Sequence, residues 1–356
     1  MSLKQRLIEQ ISQDGPITVA DYMSRCLFDP KDGYYSTRPA LGADGDFITA
    51  PMVSQMFGEM IGIWVAQVWA NMGAPEAFRL LEVGGGDGTL MGDILRVITR
   101  VQGLAQAAEI VMLEPSQPLR QTQSERIPQA RFVRHLSDVP DDLPIIIIAN
   151  EVLDCLPARQ FVRGDKAWFE RCIGVVDGDL AFGLVPVEKD LAPTQAAETG
   201  DIVEVSAAQG RFARELALLI RKASGAALLI DYGRDAPGSG DTLQALKKHQ
   251  KRDPLAAPGE DDLTVWADFP AVRNMAVVTR VKSSNIVGQS AFLKAMGIEA
   301  RLADLTAKNP ARAALLNRQY ERLMAPDQMG ELFKVFAMAF PAGIALPGLA
   351  GAAEPS

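Results

Sequence analysis

A doubly wound, Rossmann-like α/β sheet is the fold this sequence predicts, and three observations predict it. Short apolar runs of strand length alternate with helical periodicity between residues 79 and 230. One run, Pro144 to Ala149 (PIIIIA), is continuously apolar, as in strands of a parallel sheet covered on both faces. A glycine cluster, Glu82-Val83-Gly84-Gly85-Gly86-Asp87-Gly88, stands directly between a strand and the next helix.

The chain opens with MSLKQRLIEQISQDG, which reads as an amphipathic helix without the apolar segment of a secretory signal. Met56, Phe57, Met60, Ile61, Trp64, Val65, Val68 and Trp69 then repeat at helical spacing, and Ser54 stands where an N-cap belongs. Residues 1–75 are therefore expected to form an N-terminal helical lobe. Arg79–Val83 predicts the first strand, and a helix follows from about Leu90 to Val101. Glu109–Leu113 predicts the second strand, ending at Glu114, with Pro115 and Ser116 at a helix start. Arg131–Val133, Pro144–Ala149 and Ala226–Ile230 complete the strands of a core over residues 76–235.

Two stretches interrupt that core. Residues 160–186 carry turns at Arg163-Gly164-Asp165 and Asp177-Gly178-Asp179, which predicts a hairpin insertion. Residues 234–262, rich in Gly, Pro, Asp and Lys, read as a long surface excursion. Residues 236–340 are expected to combine this insertion with helices and the last strands, leaving 341–356 as a frayed tail.

Composition narrows the function classes. With 48% hydrophobic and 22% charged residues in 356, the chain can bury a sizeable core. Its net charge of −8, without a Lys/Arg block, argues against nucleic acid as a partner. Cys26, Cys155 and Cys172 make neither a metal-ligand spacing nor a disulfide framework, so no metal is expected. Ile145–Ala149 is the longest uniformly apolar run and too short to cross a bilayer, so no membrane insertion is expected. His135 and His249 are the only histidines, and neither suggests a nucleophile–His–acid triad. With no targeting sequence visible, a cytoplasmic, bacterial setting is expected.

The chemistry concentrates at two places. Gly84, Gly85, Gly86 and Gly88 let the backbone turn tightly and approach a nucleotide-like ligand. The spacing departs from G-x-G-x-x-G, because position 89 is Thr and a glycine falls at 88, and no lysine follows in P-loop register. Glu114, at the tip of the second strand, can accept hydrogen bonds from both hydroxyls of a ribose. This combination favours S-adenosyl-L-methionine over NAD. The second place is the end of the fourth strand, where Asn150, Glu151 and Asp154 emerge. Two carboxylates there can grip a guanidinium and remove its proton. The plainer alternative, equally open at this level, is that Asp154 caps a turn and Glu151 is a solvated loop acid.

The chain also resembles a known family. Asp32-Gly33-Tyr34-Tyr35, Gly45-Asp46-Phe47-Ile48-Thr49-Ala50-Pro51, Ser54 to Glu59, the glycine loop, Asn150-Glu151-x-x-Asp154-x-x-Pro157, Leu229 to Gly233, Pro258-Gly259-x-x-Asp262-Leu263-Thr264 and Met329-Gly330-x-x-Phe333-Lys334-Val335 carry the resemblance. They are similar to the MidA-like methyltransferases, whose mitochondrial members are arginine methyltransferases that assist respiratory complex I assembly. The resemblance implies a class I methyltransferase fold, with S-adenosyl-L-methionine held by Glu82, Gly84, Gly85, Gly86, Gly88, Glu114 and Asn150. It implies catalysis by Glu151, Asp154 and Asn150, with Asp46 on a segment folding over the site. The implied partner is a protein substrate, a peripheral-arm subunit of complex I on its quinone side, and the enzyme is expected to associate as a homodimer. Trp266 and Cys155 depart from the family pattern, which bears on the acceptor. A small-molecule methyltransferase and a non-catalytic assembly chaperone are the rival readings.

Overall fold

Phe78–Val83 (β1), Ala108–Leu113 (β2), Arg131–Val133 (β3), Ile145–Asn150 (β4), Gly225–Arg234 (β5) and Phe333–Phe340 (β6) build the main sheet of the computed structural model. Their order is β3-β2-β1-β4-β5-β6, with the short strand Lys282–Ser283 beyond β6. The first five are mutually parallel, whereas β6 runs antiparallel along β5 from Gly225↔Phe340 to Tyr232↔Phe333. Every residue of β1 and β4 is buried, Arg79 and Glu82 of β1 included, as in strands of a sheet covered on both faces. The strand order reverses between β1 and β4, so this is the switch point at which such sheets bind ligands.

Described here are residues 1–37, 49–247 and 250–349. The chain groups into two units, the first made of Met1–Phe47, Leu153–Arg211 and Ala236–Asp268. The second, which contains the main sheet, comprises Ile48–Val152, Phe212–Asp235 and Phe269–Ser356. Residues 1–75 are thus shared between the two units, and 236–268 group with the N-terminal segment.

In the sheet unit the expected helix spans Gln55–Asn71, and the Ser54 hydroxyl accepts from the Met56 amide at 3.3 Å. Its glycines have a packing reason. A Cβ at Gly62 would lie 2.8 Å from Cβ of Val97 and 3.2 Å from the Ile94 carbonyl, so only glycine lets this helix pack so closely on Thr89–Ile98. Glu59, buried on the same helix, makes a bidentate pair with Arg301 at 2.7 Å for both contacts. Met56, Phe57, Trp64, Ile94, Ile146, Ile148, Leu228 and Val335 join one apolar core, each such side chain contributing roughly 1.5–3 kcal/mol on burial. The tail is a correction. Ile344, Leu346 and Leu349 are buried in this core, so residues 341–349 are tied down rather than frayed.

The first unit holds a second sheet, of Ile17–Thr18, Arg159–Arg163, Trp168–Val176, Asp179–Pro186 and Ile202–Val205. The predicted hairpin is present, and its Asp177-Gly178 turn takes φ of 51° and 82°, as a two-residue type I′ turn requires. Helix Leu3–Asp14 starts with a capping box at Ser2 and buries Leu3, Leu7 and Ile11 against Tyr22, Leu27, Ile173 and Leu263. The expected surface excursion over 234–262 needs correction too. Gln244–Lys247, Gln250–Arg252 and Asp262–Thr264 form a three-stranded sheet, and Ala245, Leu255 and Leu263 are buried in this unit's core. The pairing of Ala245 with Leu263 across this small sheet joins that core, a contact that composition does not show. Among the described residues, no helix is long and apolar enough to cross a membrane.

Candidate active site

β1 runs into the glycine loop at the switch point. Gly84, Gly86 and Gly88 take φ of 65°, 56° and 81°, left-handed values that disfavour any side chain. The Gly84 amide donates to the Leu113 carbonyl at 3.0 Å, and Gly88 ends the loop as N-cap of helix Thr89–Ile98. A Cβ on Gly85 would collide with the Met112 methyl and lie 3.0 Å from Oε2 of Glu82. The loop is therefore bare backbone leading to a helix N-terminus, an arrangement that receives a polar ligand closely.

Three acids surround it. Glu82 is 2% exposed, and burial, reinforced by the nearby Asp87 and Glu114 charges, pushes it up to about 8. Glu114 is also buried, which raises it above the usual carboxylate range, with the Ser116 amide and Gln123 acting against that rise. Its Oε1 accepts from the Ser116 amide at 2.9 Å and its Oε2 from Gln123 at 3.3 Å. Asp87 accepts from the Thr89 amide at 2.9 Å and pairs with Arg126 at 3.2 Å.

Gln123 escaped the sequence reading. Fully buried, its amide bridges the Gly86 carbonyl at 2.8 Å and Glu114, locking the glycine loop to the tip of β2. The available signal was its place four residues after Leu119, the other buried side chain of the otherwise polar helix Gln117–Arg126.

At the end of β4, Asn150 is 8% exposed and donates to Oε1 of Glu151 at 2.9 Å. Glu151 takes φ of 53° and its Oε1 also accepts from the Ala50 amide at 3.1 Å. A side chain held in this way is not a loosely solvated loop acid. Asp154 belongs to the other unit, the chain passing from one to the other between Val152 and Leu153. It is 7% exposed, and its carbonyl accepts from the Val265 amide at 2.9 Å. A turn and then strand Arg159–Arg163 follow it, so its place is also that of a turn-capping acid. Asp46 lies outside the described residues, as does His249.

The residues present fit a nucleoside carrying a polar, cationic tail. Oε2 of Glu82, Oγ of Ser116, Oε1 of Gln123 and Oδ1 of Asn150 are buried with no protein partner among the described residues. Four such atoms, on β1, β4 and the helix after β2 with its N-cap, would each cost about 1–3 kcal/mol if left unmet.

Comparison with known proteins agrees with this geometry. Residues 60–287 match a family described as S-adenosyl-L-methionine-dependent methyltransferase. The human mitochondrial protein arginine methyltransferase NDUFAF7 is 38% identical over 366 residues, covering 94% of this chain and 82% of that protein. The Drosophila melanogaster homologue is 36% identical, covering 97% of this chain and 86% of that one. A crystal structure from Burkholderia thailandensis bound to S-adenosyl-homocysteine superposes with a TM-score of 0.84 at 27% identity, covering 96% of this chain and 92% of that one. The relatives named as arginine methyltransferases are mitochondrial proteins, which overturns the cytoplasmic setting expected from the sequence. Absence of a recognisable presequence carried that expectation, and it weighs less than similarity along nearly the whole chain. With a class I-like fold, a glycine loop at the switch point and a match over most of its length, this chain belongs to the S-adenosyl-L-methionine-dependent methyltransferase family.

Proposed function

We propose that this enzyme is a protein arginine N-methyltransferase that modifies a peripheral-arm subunit of respiratory complex I, on its quinone side, and so aids assembly. The observation that carries the reading is Glu151, a carboxylate held by the Ala50 amide and Asn150 at the carboxyl end of β4. The arginine methyltransferases to which the chain is 37–38% identical support the same acceptor class.

In this reading Glu82, Gly84, Gly85, Gly86, Gly88, Glu114 and Asn150 hold the cofactor, which when bound supplies an electrophilic methyl on a sulfonium. Glu114 accepts from the ribose hydroxyls, kept in place by the Ser116 amide and Gln123. Glu151 and Asp154, three residues apart in the chain, bind the acceptor guanidinium. A guanidinium is protonated in water and has no free lone pair, so one carboxylate must take its proton as the N–CH3 bond forms and the S–CH3 bond breaks. Orientation and exclusion of water do most of the remaining work. Asp46 is assigned to catalysis on the family resemblance, and the enzyme acts as a homodimer.

Transfer of labelled methyl to purified complex I subunits of the peripheral arm, followed by hydrolysis and identification of methylarginine, tests the proposal. Labelled methylarginine in a quinone-side subunit is expected. Label in a small-molecule fraction only, or none with cofactor bound, would overturn it in favour of a small-molecule enzyme or an assembly chaperone.

A further inference from the structure

Strand Asp262–Thr264 places two polar residues where its alternation cannot hide them among apolar neighbours. Leu263 pairs with Ala245, and both are buried in the core of the first unit. Asp262 and Thr264 therefore share the opposite face, where they are 2% exposed each. The Tyr35 hydroxyl donates to Oδ1 of Asp262 at 3.0 Å. Oγ1 of Thr264, buried on that same face, has no protein partner among the described residues.

Asp154 is tied to the same strand. The Val265 amide donates to its carbonyl at 2.9 Å, and Gln209, itself 1% exposed, donates to Leu153 at 2.9 Å while accepting from Asp268 at 2.9 Å. Burial and then the charges of Asp262, Cys155 and Asp154 raise Tyr35 well above its usual range, so the phenol stays protonated and acts as a donor. Trp266, two residues beyond Thr264, is 37% exposed, with its amide held by Thr242 at 2.8 Å.

We propose that Asp262 is a further acceptor-binding carboxylate, which together with Asp154 receives a planar cationic side chain, with Thr264 taking one of its N–H groups and Tyr35 positioning Asp262. A guanidinium presents five donors in one plane, more than a single carboxylate can take. When it leaves water, each unmet donor is costly, so an arginine site needs further acceptors beside its first acid. Asp262 and Thr264 supply them from one strand face, and Tyr35, donating its hydroxyl proton, fixes the Asp262 carboxylate. Lysine, a compact ammonium with three donors, gains less from this planar set. The inference rests on the assignment of Asp154 to the acceptor.

The test uses the full chain saturated with S-adenosyl-homocysteine and the probe N-acetyl-arginine amide, compared by calorimetry with N-acetyl-citrulline amide, its uncharged isostere. The wild type is expected to prefer the arginine probe. Asp262→Asn should weaken the arginine probe roughly ten- to hundredfold, with citrulline and cofactor-product affinities unchanged. Tyr35→Phe and Thr264→Val should each weaken it about threefold to tenfold, and Thr264→Ser should restore it. If Asp154→Asn abolishes the preference while the folded Asp262→Asn, Tyr35→Phe and Thr264→Val proteins keep it, the inference is overturned and the function stands. If the wild type shows no preference, or none of the four substitutions alters it, both the inference and the placement of the acceptor at Asp154 fall. Should Asp262→Asn not fold, the Tyr35 and Thr264 variants decide.

Discussion

Replacing Glu82 by Gln separates the electrostatics of the cofactor loop from its shape. Glu82 ionises near 4.5 in the unfolded chain and near 8 when folded, because burial and the adjacent Asp87 and Glu114 disfavour its charge. Between those values the folded protein retains a proton that the unfolded chain has released. Stability of the cofactor-free enzyme therefore falls as pH rises through this window and levels off above it. The slope is about 1.4 kcal/mol per pH unit for one group, so the whole window is worth at most about 5 kcal/mol. Glu114, also raised by burial, acts in the same direction. Gln cannot ionise, so the variant should lose less stability than the wild type across the window and become the more stable protein near pH 8. Urea unfolding of both cofactor-free proteins at intervals from pH 5 to 9 measures the difference. Parallel profiles for wild type and variant would refute the account of Glu82 as a buried, charge-averse acid.

Three further outcomes concern binding and rate. Glu114→Ala should weaken the cofactor by about 1.5–3 kcal/mol, the scale of hydrogen bonds to a charged group, and NAD should not compete; tight NAD binding would move the chain toward hydride chemistry. Gly86→Val places a β-branched residue at φ 56° in the loop, so cofactor binding should disappear while the circular dichroism of the sheet persists. Unchanged affinity in that folded variant would remove Gly86 from the site. Asp154→Asn should leave cofactor binding nearly intact and slow methyl transfer by on the order of a hundredfold, because charge, not shape, is lost; full activity would strike Asp154 from the acceptor residues.

What was legible in the sequence depended on how local the cause was. FRLLEV, AEIVML and IIIIAN are apolar over most of their length and became β1, β2 and β4 within a residue or two. The glycine loop was readable because positive φ at three positions admits little else. β5 extends to Arg234, past the predicted end at Ile230, since antiparallel β6 pairs with it as far as Tyr232. That partner lies a hundred residues later, beyond the reach of any window. The joining of Ile17–Thr18 to Cys172 and Ile173 was invisible for the same reason. Composition misled over 234–262, where Gly, Pro and Lys mask the pairing of Ala245 with Leu263. In the candidate site, Glu114 and Glu151 stand at the strand ends where the sequence places them, whereas only helical spacing from Leu119 pointed to Gln123 and no spacing rule pointed to Gln209.

The chain path itself argues for a division of labour. Residues 153–211 leave the sheet unit just after β4, and residues 236–268 leave it just after β5. Both departures occur at carboxyl ends of parallel strands, the edge at which such sheets carry their ligands. The residues proposed to hold the cofactor, Glu82, Gly84, Gly85, Gly86, Gly88, Glu114 and Asn150, all belong to the sheet unit, within its uninterrupted segment Ile48–Val152. Of the residues proposed for the acceptor, Asp154, Tyr35, Asp262 and Thr264 belong to the unit built from the excursions and the N-terminal segment, and Glu151 alone to the sheet unit. Changes in that unit can therefore alter the acceptor without unsettling the glycine loop, whose own clamp, Gln123 on Gly86 and Glu114, is internal to the sheet unit. The departures from the family pattern follow the same line, since Cys155 and Trp266 both fall in the excursion unit. Cys155→Ala should then shift acceptor KM and leave cofactor affinity where it was, whereas Gln123→Ala should do the reverse. Cofactor affinity that moved as much with Cys155→Ala as with Gln123→Ala would show that the two roles are not separable along the chain.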